Sequence, residues 1–273
     1  NMTEFGLLQG KGIVGFTDGV KTIQNSRLMS RIMRSAYDLG SLIIQHAEDY
    51  HLAENGTVND GIIATKLGLQ GITDLAEKVI IERDLSLLED FNCRYHIAQI
   101  SSSKSVEVIK YKKNDVDFST GVSINNLSLN ENDIGDFRTF LKLSPPLRTE
   151  EDRLSLIEAI NKNLIDVIVS DHKPEDEESK RLTFTQAATG ASGIETLLPL
   201  SLELFHNGSV KLYRIIELLT SNPAKILKIN KGNLSIGNDA DFCIVDVNKP
   251  WIVKKEKMIS KSVSYTHLTL PTT

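Results

Sequence analysis

Cysteine, an excess of charge of one sign and long apolar runs are all scarce in this chain, and each scarcity removes a class of protein. Only 2 cysteines occur in 273 residues. Cys93 and Cys243 both lie in apolar, strand-like runs, where a buried thiol acting as a small hydrophobe is expected rather than a disulfide or redox pair. The formal charge is −5, with 31 basic residues scattered among 36 acidic ones, so no general nucleic-acid surface is expected. No apolar run approaches the roughly 20 residues that span a membrane, and the start Asn1-Met2-Thr3-Glu4 lacks a signal-peptide charge pattern. These features imply a reducing, cytoplasmic setting without a membrane partner. What is present is a hydrophobic fraction of 40% beside a charged fraction of 25%, which suits one large globular domain or one plus a small one.

Four stretches repeat one plan: an apolar run of strand length, a residue able to bind metal, then a helix-like segment. Residues 12–17 end at Asp18, 41–45 at His46, 94–98 at Gln99 with His96 just before, and 164–170 at Asp171-His172. A further strand is expected over 116–124, and helices over 26–40, from Thr73 onward, over 103–111 and over 149–163, the last opened by Thr149 and Asp152 in a capping box. Strand–helix alternation implies parallel pairing. In a parallel barrel the strand C-termini open onto one face, so Asp18, His46, Gln99 and Asp171 are expected at one mouth. About five units can be counted where a closed barrel needs eight, so the pattern reads as a barrel entered mid-fold.

Beyond Asp171 the pattern turns to helices over 194–205, 210–220 and 223–229, then to short strands over 241–246 and 251–253. The expected organisation is a partial barrel over 1–230, a small C-terminal β segment over 231–262 and a tail over 263–273. Two readings stay open at several sites. Asp18 before Gly19 also suits an ordinary turn, and Gly190 and Gly193 suit either a turn or close backbone approach to a ligand. The run 173–181 reads as a solvated loop or a mobile cover in which Lys180 and Arg181 attract carboxylates. His96 lies three positions from Gln99, which on a regular strand sends it to the other face as a core or helix-facing histidine.

The motifs Gly15-Phe16-Thr17-Asp18-Gly19, Gln45-His46-Ala47-Glu48-Asp49, Lys142-Leu143-Ser144-Pro145-Pro146-Leu147-Arg148, Ser170-Asp171-His172-Lys173-Pro174, Gly193-Ile194-Glu195-Thr196 and Ser221-Asn222-Pro223-Ala224 occur in the order found in class I dihydroorotases of the amidohydrolase superfamily. The resemblance covers nearly the whole chain. It implies an α/β metal-dependent hydrolase with a TIM-like barrel, catalysing reversible cyclisation of N-carbamoyl-L-aspartate to L-dihydroorotate in pyrimidine biosynthesis. It further implies one or two Zn2+ ions held by Asp18, His46 and Asp171, with Asp171 also the catalytic acid–base group, and substrate contact at Gly190.

The chain departs from the family pattern at Gln99, which stands where the family has a second histidine ligand. It departs also at Glu175, Ser144, Asn125 and Asn126, and no His-x-His pair occurs among its 6 histidines. The resemblance therefore implies the C-terminal two thirds of a dihydroorotase-type protein, inactive alone. The alternatives are a related cyclic amidohydrolase (allantoinase or hydantoinase), or an inactive dihydroorotase-like subunit that scaffolds aspartate transcarbamoylase. Expected partners are a small-molecule substrate and either a second copy of the chain or aspartate transcarbamoylase.

Overall fold

The structure, a computed structural model, describes residues 3–250, 252–254 and 257–260. Helix α1 (Phe5–Gln9) sets Phe5 against Phe16, the ring centroids 3.9 Å apart. Helix α2 (Ser26–Leu39) starts where the Asn25 side chain accepts the Leu28 N–H and stops at Gly40, whose left-handed φ of 63° suits a residue without a Cβ. Strand β1 (Leu42–Gln45) follows at once, then α3 (Tyr50–Ala53) and an excursion made of β2 (Val58–Asn59), α4 (Ile62–Leu67) and β3 (Gly71–Ile72). Helix α5 (Leu75–Phe91) leads to β4 (Arg94–Ile100), α6 (Ser103–Lys112) to β5 (Ser119–Ser123), and α7 (Ile124–Ser128) and α8 (Glu150–Asn161) to β6 (Val167–Val169). The expected capping box at α8 is present, with Thr149 and Asp152 each accepting the other's backbone N–H. Four helices complete the described chain: α9 (Glu177–Lys180), α10 (Leu197–His206), α11 (Leu212–Leu219) and α12 (Ser221–Leu227).

The strands β1, β4, β5 and β6 lie side by side in that order and are all parallel. Each crossover moves one place in the same direction, as in a barrel wall, whereas a doubly wound sheet reverses partway. Two short contacts extend the wall: Phe16 bridges Ile43 beside β1, and Ala191 bridges His172 beyond β6. The main core lies between the helices and the outer side of this wall, where Met33, Ile81, Leu85, Ile97, Ile109, Val122, Leu156 and Ile168 pack together. Each fully buried residue of this kind contributes about 1.5–3 kcal/mol over an exposed one. A second core of Val58, Ile134, Leu141, Leu147, Phe184 and Ala191 is built by the excursions that leave the strands' C-terminal ends.

Three expectations change. The run 12–17 touches the wall only at Phe16, whose N–H donates to the Leu42 carbonyl at 2.8 Å and whose carbonyl accepts the Ile44 N–H at 2.8 Å. The C-terminal segment forms no strand among its described residues, and Ile236, Phe242 and Ile244 are exposed, since no described backbone lies alongside to complete a ladder. Cys243 is accordingly exposed while Cys93 is buried. Trp251 and the tail over 263–273 lie outside the described residues. No helix among the described residues is long and apolar enough to cross a membrane.

Candidate active site

Alternation along the strands decides which side chains line the inner wall. On β1, Ile43 and then Ala47 join the helix-facing core, which puts Ile44 and His46 on the inner face. On β5, Phe118 and Val122 face the helices, leaving Ser119, Gly121 and Ser123 inside. On β4, Tyr95 and Ile97 face outward, and the Tyr95 hydroxyl donates to Asp84 Oδ2 at 2.6 Å. His96 is therefore inward, its Nδ1 2.8 Å from Ser119 Oγ, a buried histidine of the barrel interior.

The expectation that Gln99 points away from His96 does not hold. The register with β5 slips between Ile97 and Ile100: Ile97 pairs with Thr120 and Ile100 with Val122. That is a β-bulge, an extra residue on β4 that breaks alternation. Ile100 returns to the outer core, and Gln99 stays on the inner wall, where its carboxamide bears on Asp171.

Asp171 sits just past β6 with φ of 48°, a left-handed conformation uncommon outside glycine and asparagine-like residues and a frequent companion of functional sites. Ser123 Oγ donates to Asp171 Oδ2 at 3.3 Å. Burial pushes the carboxyl upward from its ordinary range, and Gln99, Ser123, the Lys173 charge and Asn125 act against that rise.

His46 is 3% exposed, and its Nε2 lies 3.4 Å from Ser144 Oγ. Burial lowers its pKa to about 4, so the imidazole is neutral near pH 7 and one ring nitrogen carries a lone pair. Glu48, two residues on, is half-buried, and its carboxyl is raised by burial and by Glu77 while Arg148 opposes the rise.

Asp18 stands apart, in an exposed turn closed by the Lys21 N–H on its carbonyl at 3.2 Å, and among the described residues it makes no hydrogen bond to His46 or Asp171. Gly190 has φ of 141°, and a Cβ there would come within 2.6 Å of the Lys173 carbonyl oxygen; its own N–H donates to the Lys142 carbonyl at 2.9 Å. Close packing against the Asp171 segment thus accounts for this glycine. Lys180 and Arg181 do not reach toward a substrate: Arg181 pairs with Glu177, and Lys180 is 1% exposed with Nζ donating to the carbonyls of Thr139 at 3.1 Å and Ala188 at 2.8 Å.

A buried polar network beside the strand ends carries no sequence pattern that announces it. Arg148, within the Pro-Pro-Leu-Arg run, donates to Ser101 Oγ at 3.1 Å and Asn59 Oδ1 at 2.9 Å. Asn59 Nδ2 donates to Glu131 Oε2 at 2.6 Å, and Glu77 accepts the Ser101 N–H at 3.0 Å. These bonds fasten the β2–β3 excursion to the wall and offset the cost of burying the charges.

Neutral imidazole at His46 and a carboxylate at Asp171 are donor types that suit a divalent ion. No three His, Cys, Asp or Glu side chains among the described residues gather into a metal-binding cluster, so these donors do not make a metal site on their own.

The amidohydrolase family model matches residues 7–268. The chain is 39% identical over 264 residues to a dihydroorotase of Ehrlichia canis, covering 96% of this chain and 59% of that protein. It is also 39% identical over 263 residues to a dihydroorotase of the Wolbachia of Drosophila simulans, covering 96% of this chain and 60% of that protein. The chain thus spans about three fifths of the length of these curated relatives. Among solved structures, L-hydantoinase from Arthrobacter aurescens is similar with a TM-score of 0.74 and 27% identity over 87% of this chain and 56% of that one. The dihydroorotase of Saccharomyces cerevisiae in complex with 5-fluoroorotic acid shares the fold alone, with a TM-score of 0.65 and 16% identity over 82% of this chain and 63% of that one. The parallel wall with its outer helices is therefore part of a TIM-like (β/α) barrel, and the chain belongs to the amidohydrolase family.

Proposed function

We propose that the protein carrying this chain is a dihydroorotase, interconverting L-dihydroorotate and N-carbamoyl-L-aspartate in pyrimidine biosynthesis in the cytoplasm. The observation that carries this reading is the placement of Asp171 at the inner end of β6, bonded to Ser123 and facing Gln99, in a chain so similar to dihydroorotases along its length. In this reading Asp171 takes a proton from the water that attacks the ring carbonyl and passes it to the ring nitrogen as the C–N bond breaks; ring closure runs the same steps in reverse and releases the water. His46 orients the reacting group from the end of β1, at the other edge of the four-stranded wall, and Gly190 allows the 190–193 segment to close against the site. Zinc belongs to the proposal with His46 and Asp171 as donors that would hold it, while Asp18, expected from the resemblance as a third, lies apart from them in its exposed turn.

Gln99 and Glu175, which stand where the family has histidines, favour a second reading, an inactive dihydroorotase-like subunit that scaffolds aspartate transcarbamoylase. Assaying the purified protein with L-dihydroorotate, hydantoin and allantoin separates these. Ring opening of L-dihydroorotate in preference to the other two supports the dihydroorotase; preference for hydantoin or allantoin assigns another cyclic amidohydrolase; no turnover of any, with co-purification of aspartate transcarbamoylase, supports the scaffold.

A further inference from the structure

Asn125 holds a buried amide whose Nδ2 closes no hydrogen bond of ordinary length, the Asp171 carboxylate being the acceptor it bears on. It is the second residue of α7, just beyond the inner end of β5, where Ser123 Oγ accepts its backbone N–H at 3.2 Å. The residue is 2% exposed, yet its Nδ2 has no hydrogen-bond partner. The adjacent Asn126, by contrast, closes its Nδ2 on the Pro146 carbonyl at 3.0 Å. The Asn125 amide bears on the Asp171 carboxylate alongside Ser123 and Gln99, so this donor, held by no close hydrogen bond, faces the same space as the proton-carrying group. An unmet buried donor costs about 1–3 kcal/mol, and such a cost is recovered when a ligand brings the missing acceptor.

We propose that Asn125 is a specificity-determining residue whose Nδ2 donates to an acceptor oxygen, a ring carbonyl or carboxylate, of the cyclic amide bound beside Asp171. The inference rests on the dihydroorotase reading for the identity of that ring. Among the buried polar atoms left without a partner, this one lies beside Asp171, where a bound ring can bring it an acceptor. Removing it therefore affects binding and spares stability.

The test uses the protein that carries this chain, as wild type, Asn125→Leu and Asn125→Ser. Leucine keeps the volume without a donor, and serine restores a shorter one. For each, the thermal midpoint and the KM and kcat for L-dihydroorotate and for hydantoin are measured. The expected result is a KM for the accepted ring raised about tenfold in Asn125→Leu with kcat little changed, as for a lost uniform contact. The melting temperature should be unchanged or higher, and Asn125→Ser should recover part of the KM. An unchanged KM overturns the proposal, as does a raised KM that accompanies a lower melting temperature and is not recovered by serine. If wild type accepts hydantoin and not dihydroorotate, the dihydroorotase reading fails while Asn125 is judged on the hydantoin KM. If wild type accepts neither ring, both fall.

Discussion

Ile97 and Ile100 lie three positions apart on β4, and both are wholly buried in the same helix-facing core. Regular alternation would send them to opposite faces. The bulge between them places two residues of β4, Ala98 and Gln99, against the single Gly121 of β5, and the extra residue is what keeps Gln99 on the wall that Asp171 faces. Gly121 makes the room, since a Cβ there would lie 2.3 Å from the Ala98 carbonyl oxygen and 3.2 Å from His96 Nε2.

Gly121→Ala should therefore destabilise the fold by about 1–3 kcal/mol through overpacking against backbone. Gly6→Ala is the control: it lies inside α1 with nothing within 4 Å of the added Cβ, where alanine is neutral or mildly stabilising. Urea unfolding of both variants decides the point. Equal stability of Gly121→Ala and wild type would mean that the bulge is not as tightly packed as described.

Lys180 gives a pH signature. Burial is the first cause of its low pKa, brought down to about 8, with the Glu175 charge opposing and Lys142 and Lys173 adding to it. An unfolded lysine stays protonated well above that, so between about pH 8 and 10 the unfolded chain binds more protons and this group's contribution to stability rises with pH. Below pH 8 its full cost, at most about 3 kcal/mol, is present. Compared with Lys180→Met, wild type should gain stability between pH 7 and pH 10 in urea titrations. A constant or falling difference would contradict the buried ammonium.

The two thiols should differ sharply. Burial raises Cys93 to about 11, and Cys243 is exposed, so an aromatic disulfide reagent at pH 8 should label one thiol promptly and the other only on unfolding. Cys243→Ser should abolish the fast phase. Two fast thiols in wild type would place Cys93 at the surface.

Much of this was legible in the residues themselves. The runs ending at His46, Gln99 and Asp171 become β1, β4 and β6 because β-branched and apolar residues there are bounded by helix stops, and Thr149 with Asp152 marks the start of α8. The two-residue strands Val58–Asn59 and Gly71–Ile72 are too short to carry a period. The bulge was hidden because a reading of faces assumes the alternation that a bulge interrupts. Lys180 sits in an acidic–basic run that reads as solvated; its burial depends on Thr139, 41 positions away, which no local pattern records. Cys243 lies in an apolar run like that of Cys93, but with no described neighbour to bury it.

The most direct measurement is the turnover of L-dihydroorotate by Asp171→Asn in the protein that carries this chain, at matched metal content and with folding checked by thermal denaturation. The amide keeps the size and the Ser123 contact but cannot take up the proton, so turnover should fall at least about a hundredfold. Turnover equal to wild type would remove Asp171 from the chemistry and contradict the assignment of the inner wall as the active site.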